Sequence, residues 1–348
     1  MTTIVKSLGD LVNLIAQTFN LSTLFPALLL VILIQMFLLP ILPADSLYRF
    51  LDINGENGLQ IWLNLILVAL LAYLLDAANL SLIRLFEGYP LRGVFPFDLM
   101  ERSHRSYVER ILREVNELYI RYQDVRKRLN EEHPPDEKER LQQQADDLAD
   151  QLNLLFKHVA DRYPQDPSEV LPTPFGNVIA AAEHYPYKIL GMDPVALWPF
   201  LRPIMNEEGY APFILRDKAV MDFLVNLITV LTVFCALFGF VNWYYNGLQI
   251  AWLGKILLIG LCCFLLYLLS VQAAAGWGIT IRTPFVLYRE QLRRRLCLRP
   301  VLDYEDECRL WQDASAFFSG ELTEEEQQAI GTSIFTPRSY QEHIKSGG

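Results

Sequence analysis

Four long runs of apolar residues constrain this chain more than any other feature of its sequence. They are "LFPALLLVILIQMFLLPILP" at 24–43, "NGLQIWLNLILVALLAYLL" at 57–75, "FLVNLITVLTVFCALFGFVNWYYNGLQIAWLG" at 223–254 and "ILLIGLCCFLLYLLSVQAAAGWGITI" at 256–281. A helix needs about twenty apolar residues to cross roughly 30 Å of hydrocarbon, and each run is close to that length or exceeds it. A buried core helix would explain any one run, but not all four. The runs therefore predict an all-α, polytopic membrane protein with four transmembrane helices.

The residues before the first run predict a separate element at the membrane surface. Lys6 is the one basic residue there, and the apolar core begins more than twenty residues into the chain. A cleaved signal peptide has a basic start and an early apolar core, so the segment does not match one. Apolar residues recur at the spacing of one helix face, at Ile4, Leu8, Leu11, Ile15 and Phe19. We expect an amphipathic helix over 1–22 that lies in the interface.

The distribution of basic residues predicts the orientation of the spans. Lys and Arg accumulate in short cytoplasmic segments that flank spans. The basic residues that follow the second and fourth runs include Arg84, Arg282, Arg289, Arg293, Arg294 and Arg295. They are also candidate contacts for anionic lipid headgroups. The connection "DSLYRFLDINGE" contains one Arg as its only basic residue, and the connection "NWYYNG" contains no charged residue. The bias places both termini and residues 84–218 in the cytoplasm.

The first part of the 84–218 segment has the period of a coiled coil. Apolar residues step alternately by three and four through Val108, Ile111, Val115, Leu118, Tyr122, Val125 and Leu129, and again through Leu141, Ala145, Leu148, Leu152, Leu155 and Val159. This spacing is typical of a coiled-coil seam. Pro134 and Pro135 stop the first helix, and Asp136 is the predicted N-cap of the second. We expect an antiparallel coiled-coil hairpin over 103–160, whose outer charges are solvated or pair with a partner.

The second part, 163–216, is rich in proline and predicts short helices. One is expected over 177–185, and a second opens at Asp193, an N-cap followed by Pro194 at the first helical position. The second helix is apolar nearly all round. It therefore needs a cover, which we expect to be the membrane surface or a neighbouring subunit.

The sequence predicts no catalytic, cofactor or metal site. Glu183 and His184 are adjacent on a helix and point about 100° apart, so they do not form a dyad with each other. No HExxH, GxSxG or GxxxxGK[ST] motif occurs. The five cysteines have no CxxC or histidine partner at ligand spacing. The stretch from Leu171 to Ile204 is therefore interpreted as a joint, with Gly176 and Gly191 at turn or cap positions, although a chemical role for His184 stays open.

The second span carries a polar stripe. Asn64 and Asn79 lie within about 120° of Asp76 on the helical wheel. A carboxylate at membrane depth is costly and marks a functional candidate. The three residues are candidates for the lining of a pore or for interhelical hydrogen bonds. Alternatively, Asp76 reaches interfacial water or pairs with an arginine.

Three stretches carry a resemblance to a known group of proteins. "LPTPFGNVIAAAEHYPYKILGMDPVALWP", "RLFEGYPL" and "FVLYREQLRRRLCLRP…ECRLWQDASAFF" resemble a family of bacterial multipass membrane proteins with Pro-Thr…Gly-Asn…Ala-Ala-Glu and Asp…Trp-Pro landmarks. The resemblance covers about two-thirds of the chain. It implies the four-span architecture and a bacterial inner-membrane location, and it implies no activity and no functional residue.

These patterns divide the chain into five parts. They are an interfacial helix at 1–22, a transmembrane hairpin at 23–83, a cytoplasmic helical domain at 84–218 with the coiled-coil hairpin at 103–160 and the joint at 163–216, a second transmembrane hairpin at 219–281, and cytoplasmic C-terminal helices with a tail at 282–348.

The same patterns predict a non-enzymatic, oligomeric membrane protein. Its cytoplasmic helices, 103–160 above all, would self-associate or bind a protein partner and couple to a channel-like or membrane-perturbing span region. Four spans are too few for a transporter built from repeated bundles. The alternatives are a passive anchor that recruits a soluble partner, and a membrane-anchored enzyme with its site in 163–216. A net charge of −10 without a basic, aromatic-interleaved patch argues against nucleic acid.

Overall fold

The regular structure of the protein is helical throughout its described residues. The computed structural model describes residues 21–43, 58–131, 134–164, 166–320 and 322–335. The helices are α1 (Leu21–Leu33), α2 (Gly58–Glu87), α3 (Phe97–Leu129), α4 (Pro135–Ala160), α5 (Pro174–Leu190), α6 (Pro194–Glu207), α7 (Ala211–Asn246), α8 (Ile250–Leu287), α9 (Arg289–Arg295), α10 (Tyr304–Ser319) and α11 (Glu324–Ile334). The predicted all-α fold is confirmed for these ranges. The predicted amphipathic helix at 1–22 falls almost entirely outside them.

In the part of the chain that the structure describes, four helical segments are long and apolar enough to cross a membrane, as predicted. They are Leu21–Ile41, Gln60–Glu87, Ala211–Asn246 and Ile250–Leu287. The first continues α1 through a π-helical turn at Ile34–Leu38 and a 3₁₀ turn at Leu39–Ile41. Pro40 explains the change, because its ring replaces the N–H that an α-helix needs at that position.

The chain forms two compact units. The first comprises Met1–Phe86 and Arg216–Ala274, and the second comprises Glu87–Leu215 and Ala275–Gly348. In the first unit, small and β-branched residues of α1 and α2 pack together at Ala27, Val31, Val68 and Ala72. A further cluster joins α1, α7 and α8 through residues that include Leu30, Val230, Phe234, Phe238 and Trp252.

Helices α3 and α4 of the second unit pack against each other more extensively than any other pair in the described chain. All the residues of the predicted seam are buried or half-buried, whereas most residues between them are exposed. The apolar period therefore marks the contact face of a helical pair. Pro135 occupies the first position of α4, and Asp136 lies in the first turn. The prediction of Asp136 as the N-cap is wrong, because proline tolerates the first turn, where its missing N–H is not needed.

The proline-rich joint forms longer helices than its composition predicts. Helix α5 has 17 residues and contains Pro186, and α6 contains Pro199 and Pro203. Asp193 caps α6, as predicted, by accepting hydrogen bonds from the N–H groups of the next turn. Burial of apolar side chains on both helices offsets the free energy that is lost with the hydrogen bonds removed by the prolines.

The cover of α6 comes from the chain itself. Leu197, Leu201 and Ile204 are fully buried in one cluster with Leu310 and Trp311 of α10. The expected cover by the membrane surface or a neighbouring subunit is therefore wrong for these three residues. They lie on one face, while Val195 of the same helix is exposed.

We expect a charge in the α3–α4 contact to unfold the pair. Val115→Asp or Leu152→Asp places an unpaired carboxylate against apolar side chains and should lower the free energy of unfolding by about 1–3 kcal/mol. Circular dichroism melts of a 100–162 fragment measure the effect. The matched controls are Asn116→Asp and Asn153→Asp, at exposed positions one residue away. Equal melts for seam and control variants would contradict the assigned contact face.

Candidate functional site

The three polar residues of the predicted stripe fall in three different environments. Asn64 is buried, and its Oδ1 accepts a 2.7 Å hydrogen bond from Nε2 of Gln35 in the π-helical turn. Asn79 is half-buried, and its Oδ1 has no hydrogen-bond donor among the described residues. Asp76 is exposed. Asn64 therefore takes part in an interhelical hydrogen bond, while Asp76 faces outward from α2.

Asp76 lies well inside the apolar part of α2. The next charged residue along the helix is Arg84, eight positions on, which corresponds to about 12 Å of helix. Tyr73 and Leu80, which neighbour Asp76 on the helix surface, are 61% and 69% exposed. The carboxylate is thus surrounded by an apolar surface, where an ionised group is costly.

A proline in α1 creates a polar contact with α7. Pro26 has no N–H, so the carbonyl of Ser22, four residues earlier, lacks its usual helical donor. Nδ2 of Asn226 donates a 3.1 Å hydrogen bond to this carbonyl. Asn226 is completely buried. Its side chain therefore replaces the donor that the proline removed, as neighbouring helices do in membrane proteins.

A buried carboxylate stands one turn before Asn226 on the same helix. Asp222 is 8% exposed, and its Oδ2 is 2.6 Å from Nζ of Lys218. Within the described ranges, neither Oδ1 of Asp222 nor Oδ1 of Asn226 has a hydrogen-bond donor.

Sequence reasoning missed Asp222. The residue stands one position before the third apolar run, inside the predicted second transmembrane hairpin at 219–281. Its spacing of four from both Lys218 and Asn226 was the available signal, because residues four apart share one face of a helix.

The arginines after the fourth run are engaged in ion pairs within the second unit. Arg289 pairs with Glu307, Arg293 and Arg294 pair with Glu290, Arg295 pairs with Glu207, and Arg299 pairs with Asp306. Arg84, the remaining candidate outside this cluster, is exposed on α2 and also interacts within the protein. These contacts give the arginines a structural role beside the predicted one in topology and lipid contact.

Two carboxyl groups in this network are strongly acidic. Hydrogen bonding from Arg293, with a further bond from Arg294, lowers the pKa of Glu290 to about 2. Hydrogen bonding from Arg299 lowers the pKa of Asp306 to about 2 as well. A lowered folded-state pKa means that the contact contributes stability above the usual carboxyl pKa and loses it as the pH falls towards 2. Both contacts are therefore intact near neutral pH.

Arg282 lies beside a small cavity of the second unit. Its Nη2 donates a 2.9 Å hydrogen bond to Asp161, and its guanidinium lies 4.6 Å from the centroid of the Tyr185 ring. The cavity has a volume of about 150 Å³ and is lined by Asp161, Val178, Ala182, Ala275, Gly278, Ile279 and Arg282. A Cβ at Gly278 would lie 2.7 Å from the Cβ of Ala182, so α5 and α8 approach closely here only because residue 278 is glycine.

His184 of the Glu183–His184 pair bonds the backbone of its own helix. Nδ1 of His184 lies 2.7 Å from the carbonyl oxygen of Ala180, one turn earlier on α5. Among the described residues, no group of three or more His, Cys, Asp or Glu side chains is placed to hold a metal ion. The hydrogen bond fits a residue that stabilises its own helix.

Both ends of α5 lie against backbone from distant parts of the sequence. Oγ1 of Thr173 donates a 3.0 Å hydrogen bond to the carbonyl of Glu87. A Cβ on Gly176 would lie 2.1 Å from this oxygen. Glycine is therefore needed in the first turn of α5 so that the Glu87 backbone can approach, and not for the chain reversal or cap that the sequence predicted. Gly191 ends the helix with φ 73°, as expected of a cap, and lies against the Cys308 carbonyl. The Leu171–Ile204 stretch is thus a packing joint within the second unit.

The fold defines a helical membrane-protein class with four candidate spans. Comparison of the chain with protein-family models, curated proteins and solved structures finds no match. The resemblance to the bacterial four-span family therefore stays an expectation.

We expect the Asn226 hydrogen bond to depend on Pro26. Asn226→Leu should lower thermal stability in detergent by an amount equivalent to about 1 kcal/mol. In a Pro26→Ala background the same substitution should cost less, because residue 26 then supplies an N–H to the Ser22 carbonyl. Asn242→Leu is the matched control, since Asn242 bonds the Phe238 carbonyl of its own helix. If Pro26→Ala changed the stability cost of Asn226→Leu and of Asn242→Leu equally, the assignment would be contradicted.

Proposed function

We propose that the chain is a non-enzymatic, oligomeric integral membrane protein of the bacterial inner membrane with a channel-like span region. The observation that carries the proposal is the exposed carboxylate of Asp76 on the apolar surface of α2. A single copy in lipid would leave this group in hydrocarbon at a cost of a few kcal/mol. A second copy against the same face, or a hydrated path between copies, removes the cost.

The surface of the fourth span supports assembly in the membrane. Only 6% of the most apolar stretch of this span is buried inside the protein. Exposed glycines interrupt this surface at Gly254 and Gly260, where a Cβ would meet no atom within 4 Å. Small residues let membrane helices approach closely, so this face suits contact with another copy as well as with lipid.

The α3–α4 pair is the proposed site of cytoplasmic self-association. We propose that it is an antiparallel coiled coil over 103–160. Asp146, Asp147 and Asp150 are exposed on α4, and the basic residues 126–128 are exposed at the end of α3. Opposite charge at different levels of the pair favours pairing in trans.

The exposed apolar side chains of this pair favour a second candidate function. Ile120 is 60% exposed and Leu154 is 75% exposed. A scaffold that recruits a soluble protein through these residues fits the same structure without requiring conduction. Exposed apolar groups mark such contacts when they form a patch.

Substitutions at Asp76 test the channel-like function. Asp76→Asn should keep expression and assembly but change ion selectivity in reconstituted vesicles, because the charge is lost while the polar group remains. Asp76→Leu should reduce the oligomer in mild detergent as well. Glu305→Gln removes a carboxylate that is 84% exposed at the side chain and serves as the control. A monomeric parent that releases neither ions nor dye would favour the scaffold, and parental behaviour of both Asp76 variants would remove Asp76 from any pore.

Cysteine labelling tests the proposed orientation, in which both termini are cytoplasmic. In a cysteine-free background, an impermeant reagent applied from outside should label cysteines placed at 54–57 and 245–247. Cysteines at 130–140 should react only after the membrane is permeabilised. Labelling of 130–140 in intact cells would invert the orientation.

A further inference from the structure

A short segment after the second span exposes an unusual number of apolar side chains. Helix α2 ends at Glu87, and Gly88 turns the chain with φ 90°. Beyond this turn, the exposed residues include Tyr89 at 39%, Val94 at 49%, Phe95 at 80%, Leu99 at 62% and Met100 at 40%. A side chain as large as Phe95 is more stable out of water, so its exposure to water is unfavourable.

The exposed apolar face stops abruptly along α3. Every exposed residue between positions 101 and 118 is polar. The apolar face that follows the span is therefore separated by 18 residues from the next exposed apolar side chains of α3, Tyr119 and Ile120.

The opposite side of the segment is held by polar contacts. Nη2 of Arg92 donates a 3.1 Å hydrogen bond to the carbonyl of Val170, and Nε of Arg105 donates a 3.1 Å bond to the carbonyl of Pro167. Glu101 forms ion pairs with both arginines. Arg92 thus binds the segment to Val170, and Glu101 and Arg105 just beyond it extend this polar contact to Pro167. The apolar side chains of the segment remain exposed.

We infer that residues 89–100 form an interfacial segment whose apolar side chains insert into the lipid headgroup layer. The position along the chain identifies lipid as the occupant. Arg84 is the first charged residue after the apolar part of α2, and Tyr89 follows five residues later. The three helical steps from Arg84 to Glu87 rise about 4.5 Å before Gly88 turns the chain, and the interfacial layer on each side of the hydrocarbon is about 5–8 Å thick. Aromatic and aliphatic groups above a charged helix boundary match this layer.

This assignment depends on the second span crossing the bilayer and not on oligomerisation or conduction. A segment held at the interface on one side and bound to residues 167–170 on the other would fix the depth at which α3 begins. Phe95 and Leu99 pack little against the protein, so their replacement should leave the fold intact.

Spin labels on the full-length protein in lipid nanodiscs test the inference. Phe95→Cys and, separately, Leu99→Cys are made in a variant without the native cysteines. Accessibility to oxygen, which concentrates in lipid, is compared with accessibility to a water-soluble nickel chelate. We expect an oxygen-to-nickel ratio at Phe95 and Leu99 several-fold higher than at the control.

Ile120→Cys is the matched control. Ile120 is apolar, 60% exposed and on the same helix as Leu99, about 30 Å further along α3. A high ratio at 95 and 99 with a low ratio at 120 supports the inference. Nickel access at 95 and 99 overturns it, as does protection from both reagents, which would indicate a protein partner or a second copy. A high ratio at all three positions also overturns it, because the whole of α3 would then lie on lipid.

Discussion

The constraint on which the membrane helices depend is that every backbone carbonyl needs a donor where water is scarce. Pro26 and Pro284 each break this rule inside a helix that is apolar enough to span a membrane. The side chain of Asn226 donates to the carbonyl freed by Pro26. Tyr210 donates a 3.2 Å bond to the Thr280 carbonyl, four residues before Pro284. At each proline the freed carbonyl therefore takes its donor from a side chain in another part of the chain.

In the second unit, distant parts of the chain are held together mainly by apolar packing and close backbone approach. Three residues of α6 are fully buried beneath α10, which lies more than 100 positions later in the sequence. Gly176 and Gly191 admit the backbone of Glu87 and Cys308 at the two ends of α5. At both glycines a backbone carbonyl occupies the space that a side chain would take.

Polar residues in the spans had to be placed by the structure before they could be interpreted. The helical wheel grouped Asn64, Asp76 and Asn79, yet Asn64 bonds Gln35 while Asp76 faces outward. A helical wheel gives the angular position of each residue on one helix, but it does not show which neighbouring helix covers that residue. Asp222 was missed because only its spacing of four from Lys218 and Asn226 pointed to it, and that spacing also leaves open which neighbour covers the face. In the proposed function, Asp76 is the group that another copy of the chain would cover.

The sequence by itself determined the number and position of the candidate spans and the contact face of α3 and α4. Both are local consequences of periodicity: a span needs a minimum apolar length, and a seam repeats every three or four residues. Only the tertiary structure decided that α10 covers α6, that Asn226 donates to the carbonyl freed by Pro26, and that the arginines after α8 pair with carboxylates. These contacts join residues far apart in the chain, and their formation depends on three-dimensional proximity that no local pattern encodes.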